Sequence, residues 1–181
     1  ASFYYCFSMK GPPIKTLTRD ERQEMCFQKW KANNGHGSLV CATGFGKTRI
    51  ALNIIKWLQG NTPSIRIIIV VPTMVLQDQW IQGLKESGCS TDHVQVYVIN
   101  TVIKDSHVCD LLILDEAHRY PADTFSQVFQ TVKYYMILCL TATFERLDGK
   151  HTILSKYAPV VDQVTIQECL ANGWVSNYKE Y

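Results

Sequence analysis

The segment Leu39–Thr48 reads LVCATGFGKT and lies between a short apolar run and a segment with helical spacing. It matches the phosphate-binding loop pattern G-x-x-x-x-G-K-[ST] at every position but one, because Cys41 occupies the place of the first glycine. Gly44 and Gly46 allow a tight turn whose backbone N–H groups close around a phosphate, and Lys47 can reach the terminal phosphates. The alternative is an ordinary glycine-containing turn beside a surface lysine.

The rest of the chain alternates between two kinds of segment. Short apolar runs predict strands that are buried on both faces: Ser38–Cys41, Ile65–Val71, Val94–Ile99, Leu111–Leu114 and Met136–Leu140. Segments with helical spacing lie between them, including one from Phe125 to Val132. Capping boxes at Thr18-x-x-Glu21 and Thr165-x-x-Glu168 mark two helix starts. This alternation predicts an α/β fold with a mainly parallel sheet and helices on both faces.

The predicted sheet favours the phosphate-site interpretation. In such folds ligands bind beyond the carboxyl ends of the strands, where helix N-termini present free N–H groups. Leu39–Thr48 occupies such a place, and Cys41 then belongs to the strand end, where its side chain leaves the loop amides open. Thr48 adds a hydroxyl of the kind that binds Mg²⁺ in these loops.

An acidic pair follows another buried strand. In Leu111–His118, which reads LLILDEAH, four apolar residues precede Asp115 and Glu116. Asp115 could hold Mg²⁺, and Glu116 could orient or deprotonate an attacking water. Burying two adjacent carboxylates costs several kcal/mol unless a metal or hydrogen-bond donors compensate, which argues against structural filler. One alternative is a solvated acidic loop. The other is a zinc site that includes His118, against which the absence of an H-E-x-x-H pattern argues.

Composition excludes several classes of protein. The 181 residues are 46% hydrophobic and 19% charged, as in an ordinary globular domain, and a net charge of +2 neither requires nor excludes a nucleic-acid partner. The seven cysteines form no C-x-x-C pair, which argues against a disulfide framework and for a reducing compartment. The apolar run Ile67–Val71 is too short to cross a bilayer, and the N-terminus lacks a signal-peptide layout. We therefore expect an intracellular, soluble domain without a membrane partner.

Three motifs together resemble a known family. Ala42–Thr48, Asp115–His118 and Leu140–Thr143 resemble motifs I, II and III of the DEAD/DEAH-like helicases and translocases of superfamily 2. Val71–Trp80 is similar to motif Ia in its P-T-x-x-L-x-x-Q-W form. That form is typical of the branch with the transcription- and repair-factor helicase, phage branch-migration helicases and restriction-enzyme motors. Thr143–Gly149 resembles the T-x-x-R-x-D-G tail of this branch, with Phe144 in place of the usual proline.

The resemblance covers about Thr16 to Val161 and implies a RecA-like P-loop domain that binds ATP and Mg²⁺. The residues implied in nucleotide binding are Gln23, which corresponds to an adenine-reading glutamine, and Thr43, Gly44, Phe45, Gly46, Lys47, Thr48 and Arg49. Lys47, Asp115 and Glu116 are implied in catalysis, with Thr48 and Asp115 on Mg²⁺. The residues implied in coupling nucleotide state to domain movement are His118, Thr141 and Thr143.

The resemblance also implies a nucleic-acid contact at Pro72, Thr73 and Thr101. For Thr73 the alternative is a helix N-cap. Arg119 and Arg146 could contact nucleic acid or could simply be solvated, and Trp80 is interpreted as a core residue rather than a base-stacking platform.

The predicted organisation is a first RecA-like domain over residues 1–162, with a helix and linker over residues 163–181. The linker would lead to a second RecA-like domain that brings the arginine fingers. The chain is thus expected to be the N-terminal motor domain of a nucleic-acid-dependent ATPase, nearly inactive alone, and the Q-W and R-x-D-G forms favour DNA over RNA. An RNA helicase domain, a nucleotide-binding interaction module without hydrolysis and a small-molecule kinase are the alternatives.

Overall fold

The structure is a computed structural model that describes residues 16–143 and 149–175. Its main sheet has six strands, all paired in parallel. In chain order these strands are β1 (His36–Cys41), β2 (Ile67–Val71), β3 (Val94–Val98), β5 (Leu111–Leu114), β7 (Met136–Thr141) and β8 (Val160–Val164). A two-stranded sheet pairs β4 (His107–Val108) with β6 (Val132–Lys133). Across the main sheet the order is β3-β2-β5-β7-β1-β8.

Helices connect these strands. They are α1 (Arg19–Ala32), α2 (Lys47–Asn61), α3 (Met74–Glu86), α4 (Ile99–Val102), α5 (Ala122–Thr131), α6 (His151–Tyr157) and α7 (Ile166–Asn172), with a 3₁₀ turn at Ala117–Arg119. Both predicted capping residues are confirmed, because Thr18 and Thr165 each accept a backbone hydrogen bond at 3.1 Å. Within the described ranges, none of the helices has the length and apolarity that crossing a membrane requires.

The two faces of the sheet carry separate apolar clusters. In β2, Ile67, Ile69 and Val71 belong to one cluster, whereas Ile68 and Val70 belong to the other. Helices α1, α2 and α3 contribute to the first cluster, and α4, α5 and α6 contribute to the second. Because both faces are covered, the strands are continuously apolar rather than alternating. The predicted sheet with helices on both faces is confirmed.

Some element boundaries differ from the prediction. The fourth predicted helix ends at Thr131, because Val132 enters β6 and pairs with His107. The third predicted strand ends at Val98, because Ile99 starts the short helix α4. Both errors come from apolar residues that fit a helix or a strand equally well, so that tertiary pairing decides between them.

β8 was not predicted and bears on the domain boundary. It pairs with β1 at one edge of the sheet, so the expected boundary after residue 162 falls inside this strand. The described residues beyond the boundary also pack on the first domain, since Cys169 and Trp174 are buried in its core. Residues of this segment therefore pack against the first domain, and the division at residue 162 stays a prediction. The polar pair Asp162–Gln163 interrupts the apolar run, which explains why the sequence pattern gave no strand.

Candidate functional site

The phosphate-loop motif lies at the carboxyl end of β1, where it turns into α2. Gly44 and Gly46 adopt left-handed φ angles of +88° and +98°, which residues with a Cβ rarely adopt. A Cβ on Gly46 would lie 2.5 Å from Nε2 of Gln23, so a side chain at this position would also have to displace the Gln23 amide. The two glycines form the predicted tight turn, and the first N–H groups of α2 lie beside it.

Cys41 leaves this turn undisturbed. It is the last residue of β1 and is fully buried in the apolar cluster below the loop. The neighbouring Cys41 thiol and burial raise the pKa of Cys26, on α1, well above its usual value. The side chain that replaces the first motif glycine is thus part of the core, as the sequence interpretation expected.

Lys47 and the acidic pair converge on one cavity. Lys47 begins α2, is only 5% exposed, and has its Nζ 3.6 Å from Oε1 of Glu116. Lys47, Asp115 and Glu116 line a cavity of about 450 Å³ together with Thr43 and Thr48. The carboxyl ends of β1 and β5 meet here although β7 separates the two strands. The structure therefore brings the predicted catalytic residues together.

Asp115 is held by neighbours that the sequence did not reveal. The residue is 3% exposed, and its carboxylate accepts a hydrogen bond at 2.8 Å from the indole N–H of Trp80. Burial raises the pKa of Asp115 to about 6, and the Trp80 hydrogen bond and the charge of Lys47 oppose this rise. The buried hydroxyl of Tyr120 lies within hydrogen-bonding distance of the backbone oxygens of Asp115 and Val70. Trp80 is a core residue as predicted, but it also contacts the site.

Glu116 has an unusual backbone conformation. Its φ of +53° lies in the left-handed region, which costs about 1–3 kcal/mol for a residue with a Cβ and is typical of functional sites. In this conformation its carboxylate lies between two partners, Nζ of Lys47 and Nε2 of His118, the latter at 3.2 Å. The backbone strain is thus associated with one specific orientation of the carboxylate.

The three residues expected to couple motion are connected. Nδ1 of His118 lies 3.0 Å from Oγ1 of Thr141, at the end of β7. The Thr141 hydroxyl in turn donates to the backbone oxygen of Thr143 at 3.2 Å. Since β7 lies between β1 and β5, Thr141 is well placed to contact the residues after β5. Lys150, which no sequence motif indicated, donates to the backbone oxygen of His118 at 3.4 Å.

A second cavity lies on the other side of the loop. It measures about 550 Å³, and its lining includes Gln23, Gly44, Gly46, Thr48 and Arg49. The buried amide of Gln23 donates to the backbone oxygen of Phe45 at 2.8 Å. The Phe45 side chain is fully buried and stacks on Trp174, with ring centroids 5.9 Å apart, so this residue can offer only its backbone to a ligand.

The residues expected to touch nucleic acid lie outside both cavities. Thr73 is the N-cap of α3, because its hydroxyl accepts a hydrogen bond from the Leu76 N–H at 3.3 Å. Thr101 is exposed in α4. Arg119, for which both a nucleic-acid contact and a solvated position were open, is exposed but lines the first cavity. Phe144 and Arg146 lie outside the described residues.

The oxygen donors in the first cavity fit a magnesium ion. Among the residues that the structure describes, no cluster of three His, Cys, Asp or Glu side chains could hold a metal, which gives the zinc alternative no support. Mg²⁺ needs no such cage, because it is bound by one or two carboxylates together with nucleotide phosphates and water. The Asp115 carboxylate and the Thr48 hydroxyl line the same cavity and are oxygen ligands of this kind.

A phosphate loop and an acidic pair that share one cavity at the carboxyl edge of a parallel sheet define a P-loop nucleotide-binding domain. The contact between His118 and Thr141 joins motifs II and III, as expected for a superfamily 2 motor domain. The chain belongs to the family described as "Type III restriction enzyme, res subunit", which matches residues 16–107 and 94–146.

Individual proteins show the same relationship. A protein of Sulfurisphaera tokodaii named as a DNA 3'-5' translocase is 32% identical over 161 residues, which are 79% of this chain and 35% of that protein. A protein of African swine fever virus named as a candidate ATP-dependent RNA helicase is 32% identical over 160 residues, 75% of this chain and 30% of its own length. The chain thus spans about a third of the length of these relatives.

A solved structure confirms the predicted RecA-like fold. The Type ISP restriction-modification enzyme LlaGI, determined with a DNA substrate mimic, superposes with a TM-score of 0.69 at 19% identity. The match covers 88% of this chain and 21% of that enzyme. At this identity the likeness concerns the fold alone.

Proposed function

We propose that this chain is the ATP-binding half of a nucleic-acid-dependent ATPase that moves along DNA. The observation that carries the proposal is the convergence of Lys47, Asp115 and Glu116 on the cavity beside the phosphate loop. Phosphoryl transfer requires three groups of this kind: a buried cation for the phosphate, a buried carboxylate suited to a metal and a second carboxylate for the water.

One nucleotide can extend through both cavities, because Thr48 lines each of them. The phosphates bind in the cavity with Lys47, where the loop amides and the α2 N-terminus favour negative charge. The base binds in the cavity with Gln23 and Arg49. Thr48 and Asp115 would hold Mg²⁺, which would offset the negative charge of the phosphates.

Glu116 accepts the proton of the attacking water. In the structure the Lys47 ammonium lies 3.6 Å from this carboxylate, and a bound terminal phosphate competes for the same ammonium. When Lys47 turns to the phosphate, the Glu116 carboxylate is released from this contact and can face the attacking water. His118, at 3.2 Å on the other side, keeps the carboxylate oriented.

The path from nucleotide to movement begins at the same histidine. His118 contacts Glu116 through one ring nitrogen and Thr141 through the other, and Thr141 contacts the backbone of Thr143. A change at Glu116 during hydrolysis can therefore reach the backbone of Thr143. A second RecA-like domain, which supplies arginine fingers, responds to that change.

Pro72, Thr73 and Thr101 form the proposed contact with the sugar-phosphate backbone of the nucleic acid. The relative named as a DNA translocase favours DNA as the substrate. The viral relative named as a candidate RNA helicase is equally identical and makes RNA the second possibility. An interaction module that binds ATP without hydrolysing it is the third.

The test is phosphate release by the full-length protein, measured without nucleic acid and with duplex DNA, single-stranded DNA or RNA. We expect DNA to stimulate turnover, and Glu116→Gln to reduce the stimulated rate by about 10²-fold or more while leaving ATP binding nearly intact. Stronger stimulation by RNA would favour the second possibility. ATP binding without turnover under every condition would favour the interaction module.

A further inference from the structure

The contact between Trp80 and Asp115 joins two parts of the site that are distant in sequence. Trp80 lies on α3, which follows β2, whereas Asp115 follows β5, the neighbour of β2 in the sheet. The indole Nε1 is 2.8 Å from Oδ2 of Asp115, and Trp80 is only 2% exposed. Both residues line the cavity of about 450 Å³ that also contains Lys47.

This contact restricts the carboxylate. An indole N–H is a donor only, so the Trp80 side chain can pair with the charged oxygen but cannot compete for a metal. Its ring is packed in the apolar cluster with Leu84, which leaves the N–H a fixed direction. A hydrogen bond from a fixed donor to Oδ2 limits rotation of the carboxyl group, and thereby sets the position of Oδ1.

We propose that Trp80 is a positioning residue for the metal-binding carboxylate: its indole N–H holds Asp115 in the orientation that Mg²⁺–nucleotide requires. The inference rests on the function proposed above. Hydrogen-bond partners behind a metal ligand commonly contribute 10–100-fold to metal affinity. Trp80 acts through Asp115 and contributes little to nucleotide binding without metal.

The test uses the 181-residue chain and a fluorescently labelled ADP, titrated in EDTA and then with increasing Mg²⁺. Trp80→Phe keeps an aromatic ring and removes the N–H. For this variant we expect the affinity for labelled ADP in EDTA to stay within about twofold of that of the wild type. The Mg²⁺ concentration that produces half of the maximal increase in ADP affinity should rise about tenfold or more. An unchanged Mg²⁺ dependence would overturn the proposal.

Trp30→Phe is the matched control. Trp30 is 1% exposed and donates its indole N–H to the backbone oxygen of Ile137 at 2.9 Å, so it loses an equivalent buried hydrogen bond. Its Mg²⁺ dependence should equal that of wild type. If Trp30→Phe shifted the Mg²⁺ dependence as much as Trp80→Phe, the effect would be general destabilisation and the proposal would fail.

Two further variants test the hydrogen bond between Trp80 and Asp115. If Trp80→Phe does not fold, benzothienylalanine at position 80 preserves the ring shape and replaces the N–H by sulfur, with the same expected shift. In an Asp115→Asn background, Trp80→Phe should produce no additional shift, because the two residues act as a unit. A wild-type chain that binds no nucleotide with or without Mg²⁺ would overturn the proposed function itself, and this inference with it.

Discussion

Arg22 and Asp162 are 140 positions apart in sequence and form a buried, two-pronged ion pair, with contacts of 2.5 and 2.9 Å. Arg22 lies on α1 and Asp162 lies in the edge strand β8. Lys29 also donates to Asp162 at 3.1 Å, and Arg22 donates to Glu168 on α7 at 3.0 Å. This ion-pair network attaches the last described segment to the helix that carries Gln23.

The network predicts an acid-sensitive contribution to stability. Burial opposes ionisation of Asp162, but hydrogen bonds from Arg22 and Lys29 outweigh it and lower its pKa to about 2. The pKa of Asp162 is lower in the folded chain than in the unfolded chain, where it is about 3.9, so the ionised carboxylate stabilises the fold at pH values above about 3.9. This contribution is lost as the pH falls through the pKa of the folded chain. Asp162→Asn should therefore remove about 2 kcal/mol near neutral pH, or more because the buried Arg22 keeps, among the described residues, only Glu168 as a charged partner.

The measurement is urea unfolding of wild type and Asp162→Asn between pH 7 and pH 2. The difference between the two unfolding free energies should narrow as the pH falls below about 4. Asp92→Asn, which changes an exposed carboxylate, is the control. A difference that is constant across this pH range would contradict the stabilising role of the ionised Asp162 carboxylate.

Lys47 should dominate nucleotide binding. Lys47→Ala removes a charge-assisted contact to phosphate worth about 1.5–3 kcal/mol, so ATP should bind at least about tenfold more weakly. Calorimetry of the chain with ATP and Mg²⁺ measures this change. Lys85→Ala, at an exposed position near the end of α3, should leave the affinity unchanged. Equal affinity of Lys47→Ala and wild type would refute the phosphate-site assignment.

Gly46 should accept a side chain only with a loss of stability. Its φ of +98° and the 2.5 Å approach to Nε2 of Gln23 both penalise alanine. Gly46→Ala should destabilise the fold by about 1–3 kcal/mol in urea unfolding. In the Gly46→Ala background, Gln23→Ala should restore part of the lost free energy of unfolding, because it removes the clash but leaves the backbone strain.

Gly60 provides the comparison for this prediction. It also lies in α2, but a Cβ there meets nothing within 4 Å. Gly60→Ala should stabilise the chain by about 0.5–1 kcal/mol, because alanine is the better helix residue. Equal effects of the two glycine substitutions would show that the contact with Gln23 is unimportant.

Thr141 should separate ATP turnover from movement. Thr141→Val removes the hydroxyl that lies 3.0 Å from Nδ1 of His118 and nearly preserves the side-chain shape. In the full-length protein, we expect the rate of ATP hydrolysis to change only a few-fold. The length of nucleic-acid strand displaced per ATP should fall by about tenfold, because coupling free energies between sites are about 1–3 kcal/mol. Thr131→Val, which removes a hydroxyl bonded within its own helix, is the control. A large drop in melting temperature for Thr141→Val alone would instead indicate a structural role.

Much of the fold was predictable because its signals are local. The strand Leu111–Leu114 was predicted with the observed bounds, because four consecutive apolar residues are bounded by polar ones. The helix starts after Thr18 and Thr165 were predictable because a capping side chain bonds a backbone N–H only three residues away. β8 was missed because its polar residues find their partners on α1, far away in sequence.

The phosphate loop, the acidic pair and their place after buried strands were determined by the sequence alone, since each depends on a few adjacent residues. Only the tertiary structure decided that Trp80 holds Asp115, that Cys41 meets Cys26, and that Lys47 lies beside Glu116. The physical reason is that a buried polar group pairs with whichever donor the sheet order brings near. That order depends on the packing of the whole chain, and no local pattern of residues specifies it.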